Sequence, residues 1–186
     1  MLKNLLLICV IIVPLSSGAG TQSLPDTGIS VNVLWPFYPG GNYRVRLRQA
    51  LNSSSEYRTE GHLGLSVGTP KDIDVEGRFS ERSVLIGGRQ YLGSPFHFEF
   101  TVGIGKGKLE NAVKTGKDYE SDDVDVHLNF GYEWMLASSW SLDIQAGAGK
   151  TVSKSNPWPI YKDSTLTEEV GEQVFPTGSI HLVYWF

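Results

Sequence analysis

Between Asp122 and Trp134 the chain reads DDVDVHLNFGYEW, and apolar and polar residues alternate without a break. Val124, Val126, Leu128, Phe130, Tyr132 and Trp134 share one phase, while Asp123, Asp125, His127, Asn129, Gly131 and Glu133 share the other. Successive side chains of an extended strand point to opposite faces, so this segment has one greasy face and one charged face. A helix is excluded, because its 3.6-residue period would scatter both sets around its circumference. The constraint that matters is therefore which face looks inward.

The same period recurs in eight segments, at 28–38, 42–51, 57–68, 81–92, 96–105, 122–134, 140–150 and 175–186, separated by Gly, Pro, Ser and Asn clusters. The cleanest is 96–105, where Phe96, Phe98, Phe100, Val102 and Ile104 oppose His97, Glu99, Thr101, Gly103 and Gly105. Connections after the second, fourth and sixth segments are short (NSSSE, GSP and MLASS). Those after the third, fifth and seventh are long and polar, at about 69–80, 106–121 and 151–174. The connection after the first, PGGN, is a short exception. Tight turns at one end and long loops at the other describe an up-and-down meander that closes on itself to remove its edges.

The first residues carry a different signal. Lys3, the apolar run Leu5–Val13 and the small residues Ser17-Gly18-Ala19 have the layout of a secretory signal peptide, with cleavage expected after Ala19. One domain is expected over 20–186. Cys9 is the single cysteine and lies in that leader, so disulfides and thiol chemistry are excluded from the mature chain. Losing Lys3 lowers Lys+Arg from 16 to 15 against 20 Asp+Glu, taking the net charge from −4 to −5, which argues against nucleic acid as a partner.

Two architectures satisfy eight alternating strands behind a leader. A soluble lipocalin-like carrier of small ligands is apolar inside; an outer-membrane barrel is apolar outside and polar inside. Aromatics favour the second. Tyr57, Phe96, Phe98, Tyr132, Trp134, Trp140, Tyr184 and Phe186 lie on the apolar phase near the short turns, as an interfacial girdle would. The polar phase mixes small residues (Gly64, Gly103, Gly105, Gly131, Gly147, Gly149) with charges, as a narrow interior requires.

The chain stops at IHLVYWF, and Ile180, Leu182, Tyr184 and Phe186 at alternate positions resemble the C-terminal strand signal of Gram-negative outer-membrane proteins. By length and strand count the chain resembles the small eight-stranded OmpA/OmpX/OmpW-like barrels. That resemblance implies an all-β, eight-stranded antiparallel up-and-down transmembrane β-barrel, integral to the outer membrane, with both termini periplasmic. It also implies that Ile180, Leu182, Tyr184 and Phe186 are read by the barrel-assembly machinery, and that lipopolysaccharide surrounds the outer half.

With the polar phase inside, the charges must pair, since an unpartnered buried ion costs several kcal/mol. Arg44, Arg46, Arg48 and Arg89 would then face Glu60, Glu99, Asp125, Glu133 and Asp143, with His62, His97 and His127 among them. The short turns predict Arg48 across from Glu60, Arg46 across from His62, Arg89 across from Glu99 and Tyr91 across from His97. A plugged lumen and a non-catalytic role in envelope structure, surface contact or adhesion are expected, with the protein a monomer.

A narrow pore and a lipid A acyl hydrolase or transferase are the alternatives. An enzyme would draw on His62, His97, His127 and His181 with Ser66, Glu99, Asp125 and Asp143, but all four histidines lie on the lumen phase, away from a lipid substrate. A metal held by His97, Asp125 and His127 has only neighbouring-strand spacing in its favour. No catalytic residue, metal or cofactor is therefore assigned. In the last long loop Trp158, Ile160 and Tyr161 lie around Pro159 and form a candidate contact tip. Lysines of the loop at 106–121 are candidates for lipopolysaccharide phosphates.

Overall fold

A computed structural model describes residues 26–33, 42–53, 58–68, 71–73, 77–92, 95–112, 115–154 and 174–186. Nine strands account for almost all of them. They are β1 (Thr27–Asn32), β2 (Asn42–Ser53), β3 (Arg58–Gly68), β4 (Lys71–Ile73), β5 (Gly77–Tyr91), β6 (Phe96–Glu110), β7 (Tyr119–Ala137), β8 (Trp140–Lys154) and β9 (Phe175–Trp185). All pairings are antiparallel. The order β3-β2-β1-β9-β8-β7-β6-β5 is closed by a β3–β5 ladder, giving a ring of eight strands with β4 attached only to β5. The meander is thus an eight-stranded barrel with its first and last strands side by side. Val33 N donates to Ile180 O at 2.8 Å and Phe186 N to Thr27 O at 3.0 Å across that seam.

Three of the expected loops are shorter than the alternation suggested. β6 continues to Glu110 and β7 begins at Tyr119, so half of 106–121 is strand. Likewise 69–80 contains β4 and the start of β5, and β8 runs on to Lys154. The physical reason is that backbone ladders continue beyond the point where side-chain alternation turns polar on both faces. Phe79, Leu109, Ala112 and Tyr119 form a small apolar cluster that holds this extension together. Residues 1–19, with the expected leader, and Trp158, Ile160 and Tyr161 lie outside the described residues.

Burial is inverted relative to a water-soluble protein. Leu47, Leu63, Leu65, Ile86, Phe100, Ile104, Leu128 and Ile144 are exposed on the outer wall, Leu65 at 61%. Arg46, Arg48, Arg89, Glu60, Glu99, Glu133, Asp143, His97 and His181 are buried inside. In DDVDVHLNFGYEW the apolar phase is outside: Leu128, Phe130, Tyr132 and Trp134 are exposed, while His127, Asn129 and Glu133 are buried.

Near the short-turn end the outer aromatics touch one another. Phe96 packs edge-on to Tyr132 with centroids 5.0 Å apart, and Trp140 lies 4.9 Å from Tyr184. Among the described residues this aromatic band covers β6 to β9. The β1, β2, β3 and β5 side ends instead in polar pairs: Thr27 donates to Gln49 at 2.9 Å, and Thr59 to Gln90 at 2.6 Å.

Candidate functional site: a charged plug in the lumen

The interior at the short-turn end is an ion-pair network built from six strands. β2 contributes Arg46 and Arg48, β3 Arg58 and Glu60, β5 Arg89, β6 Glu99, β7 Glu133 and β8 Asp143. Each points inward because it sits on the polar phase of its strand.

Arg89 donates to Glu99 at 2.6 Å, to Glu133 at 3.0 Å and to Asp143 at 2.5 Å. Arg48 donates to Glu60 at 2.6 Å and to Glu133 at 2.8 Å. Arg46 closes the top with a 2.7 Å bond to Glu99, and Arg58 the bottom with a 2.6 Å bond to Glu60. Four guanidinium groups thus face four carboxylates. The balance is neutral, where the sequence suggested an excess of acid. Removing one member would leave a buried charge uncompensated, at a cost of about 3–5 kcal/mol.

Neutral groups complete the network. Tyr91 accepts from Arg48 Nη2 at 2.8 Å and donates to Glu133. Ser141 donates to Glu133 at 2.5 Å and accepts from Trp185 Nε1 at 2.9 Å. Gln145 donates to Asp143 at 2.8 Å and to Glu99 at 3.0 Å. Trp185 lies under two arginines, with Arg48 Cζ 4.5 Å and Arg58 Cζ 5.0 Å from a ring centroid, so an indole seals the turn end by cation–π contact. Two glycines make this packing fit. A Cβ on Gly28 would stand 2.6 Å from the Trp185 ring, and one on Gly131 would collide with the imidazole of His97.

The register confirms one expected pair of rungs and corrects the other. Arg89 is opposite Glu99 and Tyr91 opposite His97. Arg48, however, is opposite His62, and Arg46 opposite Gly64, while Glu60 faces Ala50. The ladder continues into the expected turn, setting Ser53 opposite Arg58, and a bulge between Ala50 and Asn52 then shifts β2 against β3 by one residue. Arg48 still reaches Glu60 diagonally, because a guanidinium on a long stem spans one rung.

Other expected members face the lumen without joining the ion pairs. His62 Nε2 is 3.0 Å from Thr101 Oγ1, and Asp125 accepts from Thr151 Oγ1 at 2.6 Å. His127 lies edge-on to Phe175. Arg44 forms no ion pair among the described residues, and its Nε is buried without a hydrogen bond. His97 Nε2 is 3.3 Å from Asp143 Oδ1, but neither ring nitrogen is hydrogen-bonded, so no hydroxyl engages this His–Asp pair as a nucleophile would. His97, Asp125 and His127 are not brought together as a metal set among the described residues. Arg58, Trp185, Ser141 and Gln145 were not among the expected network members. Their parity with Glu60, His181 and Asp143 is the signal that places them inside.

At the loop end, two of the lysines expected to meet phosphates, Lys106 and Lys108, have acids of their own, and Lys114 lies outside the described residues. Lys106 is 3.4 Å from Asp122, and Lys108 is 2.8 Å from Glu110 and 3.8 Å from Asp118.

Comparison with known proteins adds a family. No curated protein matches the sequence. Among solved structures, the backbone structure of the Yersinia pestis outer membrane protein Ail in a phospholipid bilayer nanodisc is similar at 13% identity and a TM-score of 0.45, covering 87% of this chain and 99% of that one. A family model matches residues 90–186, a span that takes in Glu99, Glu133 and Asp143 and begins one residue after Arg89. That span is more than half of the 186 residues, and the chain belongs to the family described as protein of unknown function DUF3575.

Proposed function

We propose that this chain is an integral outer-membrane barrel of a Gram-negative bacterium that works without catalysis, as a structural and surface-contact component of the envelope, with its lumen closed. The observation that carries the reading is the inverted burial: an apolar outer wall around a charged, ion-paired interior. Water would leave that wall unburied, whereas a bilayer supplies the apolar surroundings it needs. An apolar-ligand carrier of the lipocalin kind needs the opposite arrangement. The aromatic band at the short-turn end suits an interfacial girdle, and short turns belong on the periplasmic side in this class. The termini are then periplasmic. The neutral plug speaks against free conduction, and the buried histidines speak against chemistry on a membrane lipid.

The partners that fit are outer-leaflet lipopolysaccharide around the loop end and the assembly machinery acting on β9, whose outward residues Leu182, Tyr184 and Phe186 close the ring against β1 and β8. The loop-end cation offered to lipopolysaccharide is Arg82, exposed on the β5–β6 ladder across from Lys106 and just beyond Val84 and Ile104. A monomer suffices, because the ring leaves no open barrel edge. Fractionation tests the reading: the protein should sediment with the outer membrane and migrate differently on a gel before and after boiling. Lipid A composition should be the same with and without expression. A soluble, unshifted protein, or an altered lipid A profile, would overturn it.

A further inference from the structure

The plug is divided by charge between the two halves of the chain. Arg46 and Arg48 on β2, Arg58 and Glu60 on β3 and Arg89 on β5 stand on three adjoining strands and leave that wall with three positive charges in excess. Glu99 on β6, Glu133 on β7 and Asp143 on β8 stand on the next three strands and supply three negative charges. Pairs between neighbouring strands, Arg48–Glu60 and Arg89–Glu99, can form in an open sheet. Arg46–Glu99, Arg89–Asp143 and Arg48–Glu133 cannot, because the strands between them must first curve round. β2 and β7, which carry the last pair, are four places apart in the eight-strand ring whichever way it is followed. Arg48 and Glu133 are also 85 residues apart in sequence, so their contact exists only once the ring has shut.

The ring shuts at β1, whose six residues compare with 11–19 in the other seven strands of the ring among the described residues. A second contact spans this short strand. Trp185 on β9, Gly28 on β1 and Arg48 on β2 lie on one rung, since Gly28 is opposite both of the others. The glycine leaves room over β1 for the indole, which a Cβ there would meet at 2.6 Å, and Arg48 Cζ lies 4.5 Å from the ring centroid. Trp185 Nε1 also donates to Ser141 on β8 at 2.9 Å, and Ser141 donates to Glu133 on β7. Arg48 is thereby tied to β7, β8 and β9 from across the seam.

We infer that the plug is a clasp for ring closure. A cationic wall from the first half of the chain locks onto an anionic wall from the second, over the short first strand, so that plug and seam open together. Each wall alone holds buried charge without compensation, and this holds whatever surrounds the barrel. In a bilayer an open seam would also put unpaired backbone groups into hydrocarbon.

Amide hydrogen exchange of the refolded protein in phospholipid nanodiscs tests the clasp. Val31 and Leu182 face each other across the seam, and Leu128 lies at the centre of β7. In the unmodified protein the seam amides should exchange less than tenfold faster than that of Leu128, because both wait for the same opening. Glu133→Gln should raise the ratio of seam to Leu128 exchange at least tenfold. If that variant does not refold, Gly28→Ala, which crowds the indole off Arg48, should raise it in the same way. A ratio that rises less than tenfold in a folded variant would overturn the clasp and leave the plug as lumen filling alone. Seam amides tenfold or more faster than Leu128 in the unmodified protein would overturn it too, since plug and seam would then open separately.

Discussion

Glu133 accepts from four groups of the plug, Arg48, Arg89, Tyr91 and Ser141, as many as Glu99 does. Glu133→Gln keeps the volume and removes the charge, leaving Arg48 and Arg89 facing each other with less compensation. Denaturant unfolding of the refolded barrel should register a loss of about 3–5 kcal/mol. A loss under about 0.5 kcal/mol, the range of ordinary surface changes, would mean the network contributes little. Trp185 works by a different physics, as bulk and π-surface under Arg48 and Arg58. Trp185→Ala should cost about 3–5 kcal/mol as a large-to-small change in a filled site, and a neutral result would show that the turn end is open.

At the level of strands, the outer wall offers the sharper contrast. Leu65, mid-strand on β3, is 61% exposed, and for a water-soluble sheet Leu65→Arg would fall within about ±0.5 kcal/mol. Against lipid the same change should cost about 2–4 kcal/mol near the bilayer midplane, measured by unfolding in phospholipid vesicles. The strands also show what was legible in advance. Unbroken alternation in 96–105 and 122–134 gave the phase of β6 and β7, because every second residue there is apolar, while their facing followed from the aromatics on the apolar phase and the small residues on the polar one. The β2–β3 register was not legible, since the ladder runs on into the expected turn to set Ser53 opposite Arg58, and the bulge at Ala50/Asn52 takes back only one residue of that offset, which no side-chain pattern encodes. Strand lengths were misjudged for a related reason. β7 has 19 residues, whereas a spanning strand needs only about 9–11, and its polar end at Tyr119–Asp123 looks like loop until the ladder to β6 is seen. Within the plug, Arg89–Glu99 followed from a tight turn, but Trp185 was hidden by its neighbours. Tyr184 and Phe186 carry the outward pattern, and an aromatic among aromatics gives no hint that it turns inward.

Among the described residues, the ring holds a neutral network of four arginines and four acids at its short-turn end, and its outer wall is apolar. A filled eight-stranded interior leaves no continuous aqueous path, so planar-bilayer recordings should show no discrete open-channel steps. Steps in the unmodified protein would mean that the plug opens. The central claim, that the apolar wall meets lipid, is tested most directly by intermolecular NOEs in phospholipid nanodiscs. Acyl-chain methylenes should give cross-peaks to the methyls of Leu65, Ile104 and Leu128 on the outer wall, and none to Leu85 or Val183, which are buried inside. Lipid cross-peaks at Leu85 and Val183, or water cross-peaks at Leu65 and Leu128, would contradict the account.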